Sequence, residues 1–151
     1  MANMLKKLKD LFDFESSHDT DVSEENIHLA AAILFFEIAK SDHQLEETEI
    51  NQLEKILRDN WSLNDNTLND LLDTAMRESD LSASLHEQIE IINKNFNQEK
   101  KYKLVFDLWK IAWSDGEIHH YEEHLIRRIS DLLYIPHSEF IKAKHKAHNP
   151  D

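Results

Sequence analysis

The feature that most constrains the fold is a stretch that occurs twice in the chain at a fixed spacing. The first copy begins at Ile38 and reads IAKSDHQLEETE, and the second begins at Ile111 and reads IAWSDGEIHHYE. The offset of 73 residues from Ile38 to Ile111 also holds downstream, where Leu53 matches Ile126. A match at a fixed period marks a repeated structural unit, and two copies predict a pseudo-symmetric helical domain rather than a solenoid.

Each copy predicts a helix, a short turn and a second helix. Apolar residues recur at helical spacing before each turn: Ile27, Ala31, Leu34, Phe35 and Ile38 in the first copy, and Leu104, Val105, Leu108, Ile111 and Ala112 in the second. The turns fall at 41–43 and 114–116. Gly116 is the single glycine of the chain, and we expect it at the left-handed position that ends a helix. His43 takes its place in the first copy.

One glutamate in each copy lies on or beside the apolar stripe of the second helix. Glu49 comes four residues before Leu53, and Glu122 comes four residues before Ile126, a spacing that puts each pair on one helix face. A carboxylate in such a position needs a partner, because removing an unpaired charge from water is expensive.

Two partners for these glutamates follow from the sequence, and they do not exclude each other. If Glu46 and His119 are the N-caps, the two glutamates stand at the third helical position and reach back in a capping box. Alternatively, a cation is held between the aspartate of each turn and the glutamate that follows it. The seven-residue spacing is too short for an EF-hand loop.

The repeated pattern Ala-x-Ser-Asp-x-x-Leu/Ile-x-x-x-Glu resembles the TerB-like family, the tellurite-resistance protein B group, over roughly residues 23–147. The resemblance implies an all-helical fold with pseudo-two-fold symmetry and a role in stress response near the membrane. The same family supplies a domain of some membrane-anchored J-domain co-chaperones. The resemblance also implies a metal site built from clustered acidic residues, and the matching positions are Asp42, Glu49, Asp115 and Glu122. The first copy departs from the family at His43, where glycine is common.

The expected ions are those that prefer oxygen ligands, namely Ca²⁺, Mg²⁺ or Mn²⁺. Zn²⁺ is a less favoured candidate ion. Its ligands would be His120 and His124, which are four residues apart on a predicted helix. His119 lies between the aspartate and the glutamate of the second copy and is an auxiliary ligand candidate.

Composition narrows the class of protein. The chain has 151 residues, one Gly, two Pro and no Cys, which predicts a single domain of long helices without disulfides. Its formal net charge of −13 repels phosphates, so we expect cations or a basic protein surface as ligands and no nucleic acid. The absence of cysteine, of a signal-peptide core and of a transmembrane-length apolar run fits a cytoplasmic location.

Taken in order, the chain divides into four segments. Residues 1–14 form a predicted basic amphipathic helix that packs on its own domain, packs on a second copy of the chain, or lies on the inner face of the membrane. Residues 15–22 form an acidic linker, residues 23–147 form the helical domain with repeats at 27–57 and 100–130, and residues 148–151 form a tail. The domain is expected to contain about seven helices, near 23–40, 47–59, 67–77, 82–95, 98–114, 120–133 and 137–147. The first of these is apolar on one side, and Asn97 is the expected N-cap of the fifth.

No catalytic set stands out in the sequence, because there is no cysteine, nucleophile elbow or phosphate-binding glycine loop. The sequence therefore predicts a divalent-cation-binding sensor or adaptor with a protein partner, and not an enzyme. The alternative is a structural interaction module that docks a basic partner or the membrane surface. A third reading, a metal-dependent hydrolase that uses the acidic cluster, would require turnover that depends on these carboxylates.

Overall fold

The computed structural model of the chain describes residues 23–40, 47–81, 85–114 and 116–148. This part folds into seven helices and contains no strand, which confirms the all-α prediction. The helices are α1 (Glu24–Ala39), α2 (Glu47–Trp61), α3 (Asp65–Leu81), α4 (His86–Asn95), α5 (Gln98–Ala112), α6 (His120–Leu132) and α7 (His137–His148). The predicted helix over residues 1–14 and the predicted linker over residues 15–22 lie outside the described residues.

Several helices begin where the side chains predict. The Asn97 side chain accepts a hydrogen bond from the Lys100 backbone N–H at 2.8 Å, which confirms Asn97 as the N-cap of α5. Ser23 caps α1 in the same way through the Asn26 N–H at 3.3 Å. Pro136 directly precedes α7, at a helix start where its missing N–H costs nothing. Each such cap satisfies a backbone donor that the helix itself leaves unpaired.

Helix α1 forms the centre of the molecule. It packs against α2, α3, α4, α5 and α6, and every residue from Ala30 to Phe36 is buried. The prediction that α1 is apolar on one side was therefore wrong, because this stretch is apolar all round, as expected of a helix enclosed by others. Phe35 and Phe36 are at most 1% exposed, and burying a side chain of this kind contributes about 1.5–3 kcal/mol.

The predicted helix bounds differ from the structure at three places. The predicted second helix ends at residue 59, whereas α2 continues to Trp61. Helix α3 is longer than predicted at both ends, since it runs from Asp65 to Leu81. Helix α4 begins at His86 rather than at Ser82, and Leu85 just before it is not helical. Terminal turns depend on caps and tertiary packing, which hydrophobic periodicity does not report.

Two helices end on a left-handed residue that is not glycine. Ser62 follows α2 with φ of 51°, and Tyr134 follows α6 with φ of 62°. At the end of α6, the Ile135 N–H donates to the Ser130 carbonyl at 2.9 Å and the Tyr134 N–H donates to the Asp131 carbonyl at 3.1 Å. This is the hydrogen-bond pattern of a Schellman motif, whose left-handed position usually holds glycine.

Candidate functional site

Glu122, the predicted acidic residue of the second repeat, lies in the first turn of α6. It is 1% exposed, as its place on the apolar stripe predicts. Its Oε1 atom accepts a hydrogen bond from the backbone N–H of His119, the N-cap, at 3.1 Å. The reaching-back bond of the predicted capping box is therefore present, and it satisfies a helix-end donor while it offsets part of the cost of burying the carboxylate.

Glu49, the matching residue of the first repeat, lies in the first turn of α2 and is also 1% exposed. Leu53, one turn further along α2, is fully buried, as is its counterpart Ile126 on α6. The repeat thus places a buried carboxylate at the same point of two equivalent helices. This burial confirms the sequence interpretation of both glutamates as residues of the core-facing stripe.

The two aspartates of the predicted metal set, Asp42 and Asp115, lie outside the described residues. Whether all four acidic residues share one side of the molecule therefore stays a prediction. Within the described ranges, no three His, Asp or Glu side chains are grouped so that they could hold a metal ion. Glu49 and Glu122 offer the oxygen atoms that hard divalent cations prefer, but the described residues alone do not complete a coordination sphere.

Gly116 has the predicted left-handed backbone, with φ of 94°, but its role differs from the prediction. Helix α5 already ends at Ala112, with Trp113 as its C-cap. The Gly116 N–H donates to the Trp113 carbonyl at 2.9 Å, so the glycine closes a separate turn after the helix. A left-handed conformation is readily available to glycine, and it leads the chain towards the N-cap of α6.

A shallow cavity of about 310 Å³ adjoins this turn and is lined by residues that include Gly116, His119 and Glu123. Glu123 forms an ion pair with Lys144 of α7, and the hydrogen bond from Lys144 is the main cause that lowers the pKa of the Glu123 carboxyl. Glu123, the residue next to Glu122, therefore links α6 to α7 through this ion pair. His120 and His124, the predicted Zn²⁺ pair, are both exposed on α6.

The comparison with family models decides between the folds that a seven-helix chain could adopt. The model described as tellurite resistance protein TerB matches residues 28–145. The chain belongs to the TerB family. The match covers both repeats and all seven helices in whole or in part, so the resemblance carried by the repeated acidic motif is confirmed.

No curated protein matches this TerB-family chain. Among solved structures, a crystal structure of a protein of unknown function from Porphyromonas gingivalis W83 is similar, with a TM-score of 0.62 and 18% sequence identity. The similarity covers 85% of this chain and 98% of that one. At this identity the likeness concerns the fold alone.

A buried carboxylate that was not predicted lies elsewhere in this TerB-family fold. Asp107 of α5 is 0% exposed. It accepts hydrogen bonds from the Asn60 side-chain amide at 2.8 Å and from the Lys103 ammonium at 2.9 Å. Helical spacing could have indicated its burial, because Asp107 comes three residues after Leu104 and four before Ile111, both on the apolar stripe.

Proposed function

We propose that this TerB-family chain binds a divalent cation and acts as a sensor or adaptor in a response to stress or tellurite, rather than as an enzyme. The ligands would be Asp42 and Glu49 in the first half of the repeat, and Asp115 and Glu122 in the second. Binding would change the order or stability of the acidic turns, and a protein partner would respond to that change.

The observation that carries the proposal is the burial of a glutamate at the same place in both halves of the repeat. Glu49 and Glu122 are each 1% exposed and are 73 positions apart. Burying a carboxylate costs free energy unless hydrogen bonds or a cation offset the charge. Because the buried glutamate recurs, each time seven residues after an aspartate, both halves of the repeat offer the same pair of carboxylates to a cation.

The chemistry of the donors indicates the ion. Carboxylate oxygens suit Ca²⁺, Mg²⁺ and Mn²⁺, and the chain offers no thiolate that would favour a softer metal. The net charge of −13 also raises the local concentration of cations around the protein. Zn²⁺ comes after these ions, since its candidate ligands His120 and His124 are exposed and lie on a single helix.

The second candidate function, an interaction module that needs no metal, is favoured by one specific contact. The hydrogen bond from the His119 N–H to Glu122 at 3.1 Å gives this carboxylate a structural task at the start of α6. If capping is its whole purpose, the acidic surface would instead dock a basic protein or the membrane surface.

Thermal unfolding of chelator-treated protein with and without divalent ions tests the metal proposal. An ion at a hundredfold excess over its dissociation constant stabilises the fold by about 2.7 kcal/mol, which raises the melting temperature of a domain of this size by about 5–10 °C. Glu122→Gln should abolish much of that gain, because it removes a charge while its amide oxygen can still accept the hydrogen bond from His119. Without metal, this variant should be as stable as the wild type or more stable.

Glu90→Gln is the matched control, because Glu90 is exposed on α4 and forms its ion pair with Lys94 at 3.1 Å. This variant should keep the full response to the ion. If Ca²⁺, Mg²⁺, Mn²⁺ and Zn²⁺ all leave the melting temperature of the wild type unchanged, the chain is not a metal-binding protein and the interaction-module function stands in its place.

A further inference from the structure

A second cavity lies between the start of α1, the end of α2 and the start of α5. Its volume is about 340 Å³, within the range of small-molecule sites. Aromatic side chains and a buried carboxylate share its lining, which includes His28, Phe35, Trp61, Phe96, Lys103 and Asp107. We call this cavity the Asp107 cleft.

Asp107 is a fully buried charge that apolar core packing alone does not explain. The 73-residue offset aligns Asp107 with Leu34 of α1, and both positions are 0% exposed. One half of the repeat therefore fills this core position with an apolar side chain, as expected, and the other half fills it with a charge. The charged position needs hydrogen-bond donors that its apolar counterpart does not, and Asn60 and Lys103 now supply them.

The contacts of Asp107 show how many hydrogen bonds its carboxylate accepts and how many more it can accept. Oδ2 accepts from the Asn60 amide at 2.8 Å, and Oδ1 accepts from the Lys103 ammonium at 2.9 Å. A carboxylate has about four acceptor positions, so these two bonds leave capacity for further donors. The Lys103 side chain is 52% exposed and its stem is flexible, so it can turn towards water and release the place that its ammonium takes.

The aromatic wall of the cleft suits the body of an organic ligand. The rings of His28 and Trp61 stack with centroids 4.1 Å apart and planes 24° apart. Burial lowers the pKa of His28, so its imidazole is neutral at pH 7 and does not repel a cation. Tryptophan is also the side chain whose face attracts cations most strongly.

We propose that the Asp107 cleft binds a small organic cation, a primary ammonium or a guanidinium carried on an apolar or planar body. Its N–H groups donate to Asp107 where the Lys103 ammonium now lies, and its body rests against Trp61 and Phe96. Among the described charged residues that line the cleft, Asp107 alone is fully buried; Lys100 and Lys103 are exposed at its edge. The deepest charged group therefore selects a cation rather than an anion. This inference goes beyond the proposed divalent-ion site and does not rest on it.

Calorimetric titration with three probes of one shape tests the ligand class. We expect benzylammonium to bind, and benzyl alcohol and benzoate to bind at least tenfold more weakly or not at all. In ¹H–¹⁵N spectra the indole N–H signal of Trp61, assigned through Trp61→Phe, should shift with benzylammonium, whereas those of Trp109 and Trp113 should not. Tighter binding of benzoate than of benzylammonium would contradict the proposal, as would no binding of benzylammonium at millimolar concentration.

Substitutions at the carboxylate locate the site. Asp107→Leu installs the residue type found at Leu34 and should remove benzylammonium binding, with a lower melting temperature because the Asn60 amide loses this acceptor. Asp107→Asn keeps the shape and provides a folded test if the leucine variant fails to fold; it should weaken binding at least tenfold. Asp70→Asn, at an exposed position of α3, is the control and should bind like the wild type. If both Asp107 variants bind like the wild type, the proposal is wrong. Because Glu122→Gln should keep full benzylammonium binding, failure at one site is distinguishable from failure at the other.

Discussion

At the scale of single residues, His28 shows how the fold sets a charge. Burial lowers the pKa of its imidazole below the ordinary value of 6.5, against the opposing effects of Glu24 and Glu25. Partial burial of this imidazole, which stacks on Trp61 at 4.1 Å, favours its neutral form, because the charged form would lose hydration. Protonation of His28 therefore favours the unfolded chain.

The first prediction concerns this pH dependence. Below pH 6.5 the unfolded chain binds a proton at His28 that the folded chain does not, so the free energy of unfolding falls as the pH falls from about 6.5 towards the lower pKa of the folded state. Urea unfolding at pH 7.5 and pH 5.5 should show a smaller loss for His28→Phe than for the wild type, because phenylalanine keeps the stacking and does not titrate. His124→Phe, at an exposed position of α6, is the control and should lose as much as the wild type; an equal loss in His28→Phe would show that His28 is not the group responsible.

The buried carboxylates Glu122 and Asp107 show which properties of single residues can be predicted from the sequence. Glu122 could be placed on the apolar stripe because the evidence is local: it is four residues before Ile126 and three after its N-cap. Asp107 has the same local signal, but its partner Asn60 is 47 residues away on another helix. Helical periodicity can predict that a residue is buried, whereas a partner distant in the chain depends on the tertiary packing.

At the scale of helices, the low glycine content of the chain affects how α2 and α6 end. The chain has one glycine, at position 116, so the left-handed residues after these helices are Ser62 and Tyr134. For a residue with a Cβ atom, this conformation costs roughly 1–2 kcal/mol. Tyr134 is 75% exposed, and its ring has a cation, the Lys101 ammonium, 5.8 Å from its centre.

The second prediction isolates the backbone cost at Tyr134. Tyr134→Gly and Tyr134→Ala both remove the ring, so their difference reports the left-handed conformation, and we expect the glycine variant to be more stable by about 1 kcal/mol. For a domain of this size, the glycine variant should melt about 2–4 °C higher. The same pair at Arg128, an exposed position inside α6, should show the opposite order by about 1 kcal/mol. Equal stability of the two variants at position 134 would show that the helix end relaxes and carries no strain.

The helices also show what the pattern of apolar residues can and cannot predict. The existence and order of all seven helices followed from periodicity and caps, since each segment is long enough to show its period. The all-round burial of α1 did not follow, although Ala30, Ala31 and Ala32 are consecutive and apolar. Small side chains let neighbouring helices approach closely from several directions. The number of helices that pack around α1 depends on the assembled tertiary structure.

At the scale of the whole molecule, the described residues from 23 to 148 hold a continuous buried core, and none of their helices is long and apolar enough to cross a membrane. Residues 1–14 lie outside this description, and the prediction that they form a separate amphipathic segment stays a prediction. Residues 1–14 include Lys6, Lys7 and Lys9 in an otherwise acidic chain, which is the composition expected of a contact with an anionic surface.

The third prediction is that deleting residues 1–14 leaves the melting temperature of the rest of the chain nearly unchanged. The physical reason is that this amphipathic run is followed by the acidic stretch 15–22, whose composition is that of a linker. A fall of about 10 °C, equivalent to a few kcal/mol at this size, would show that the segment belongs to the core. Co-sedimentation with anionic liposomes, lost on deletion and lost in high salt, would favour the membrane role over packing on a protein.

The central position of α1 has a consequence for how the protein is made. Helix α1 leaves the ribosome early, yet α4 and α5, two of the helices that enclose it, are synthesised later, and α5 is complete only at Ala112. At about 5–20 residues per second, the apolar surface of Ala30 to Phe36 would wait roughly 4–15 s for α5 to be completed, and longer for α6, which ends at Leu132. The nascent chain therefore exposes an apolar helix for seconds. Its yield in vivo should depend strongly on chaperones that bind apolar segments of nascent chains, whereas refolding of the finished chain should depend on them much less.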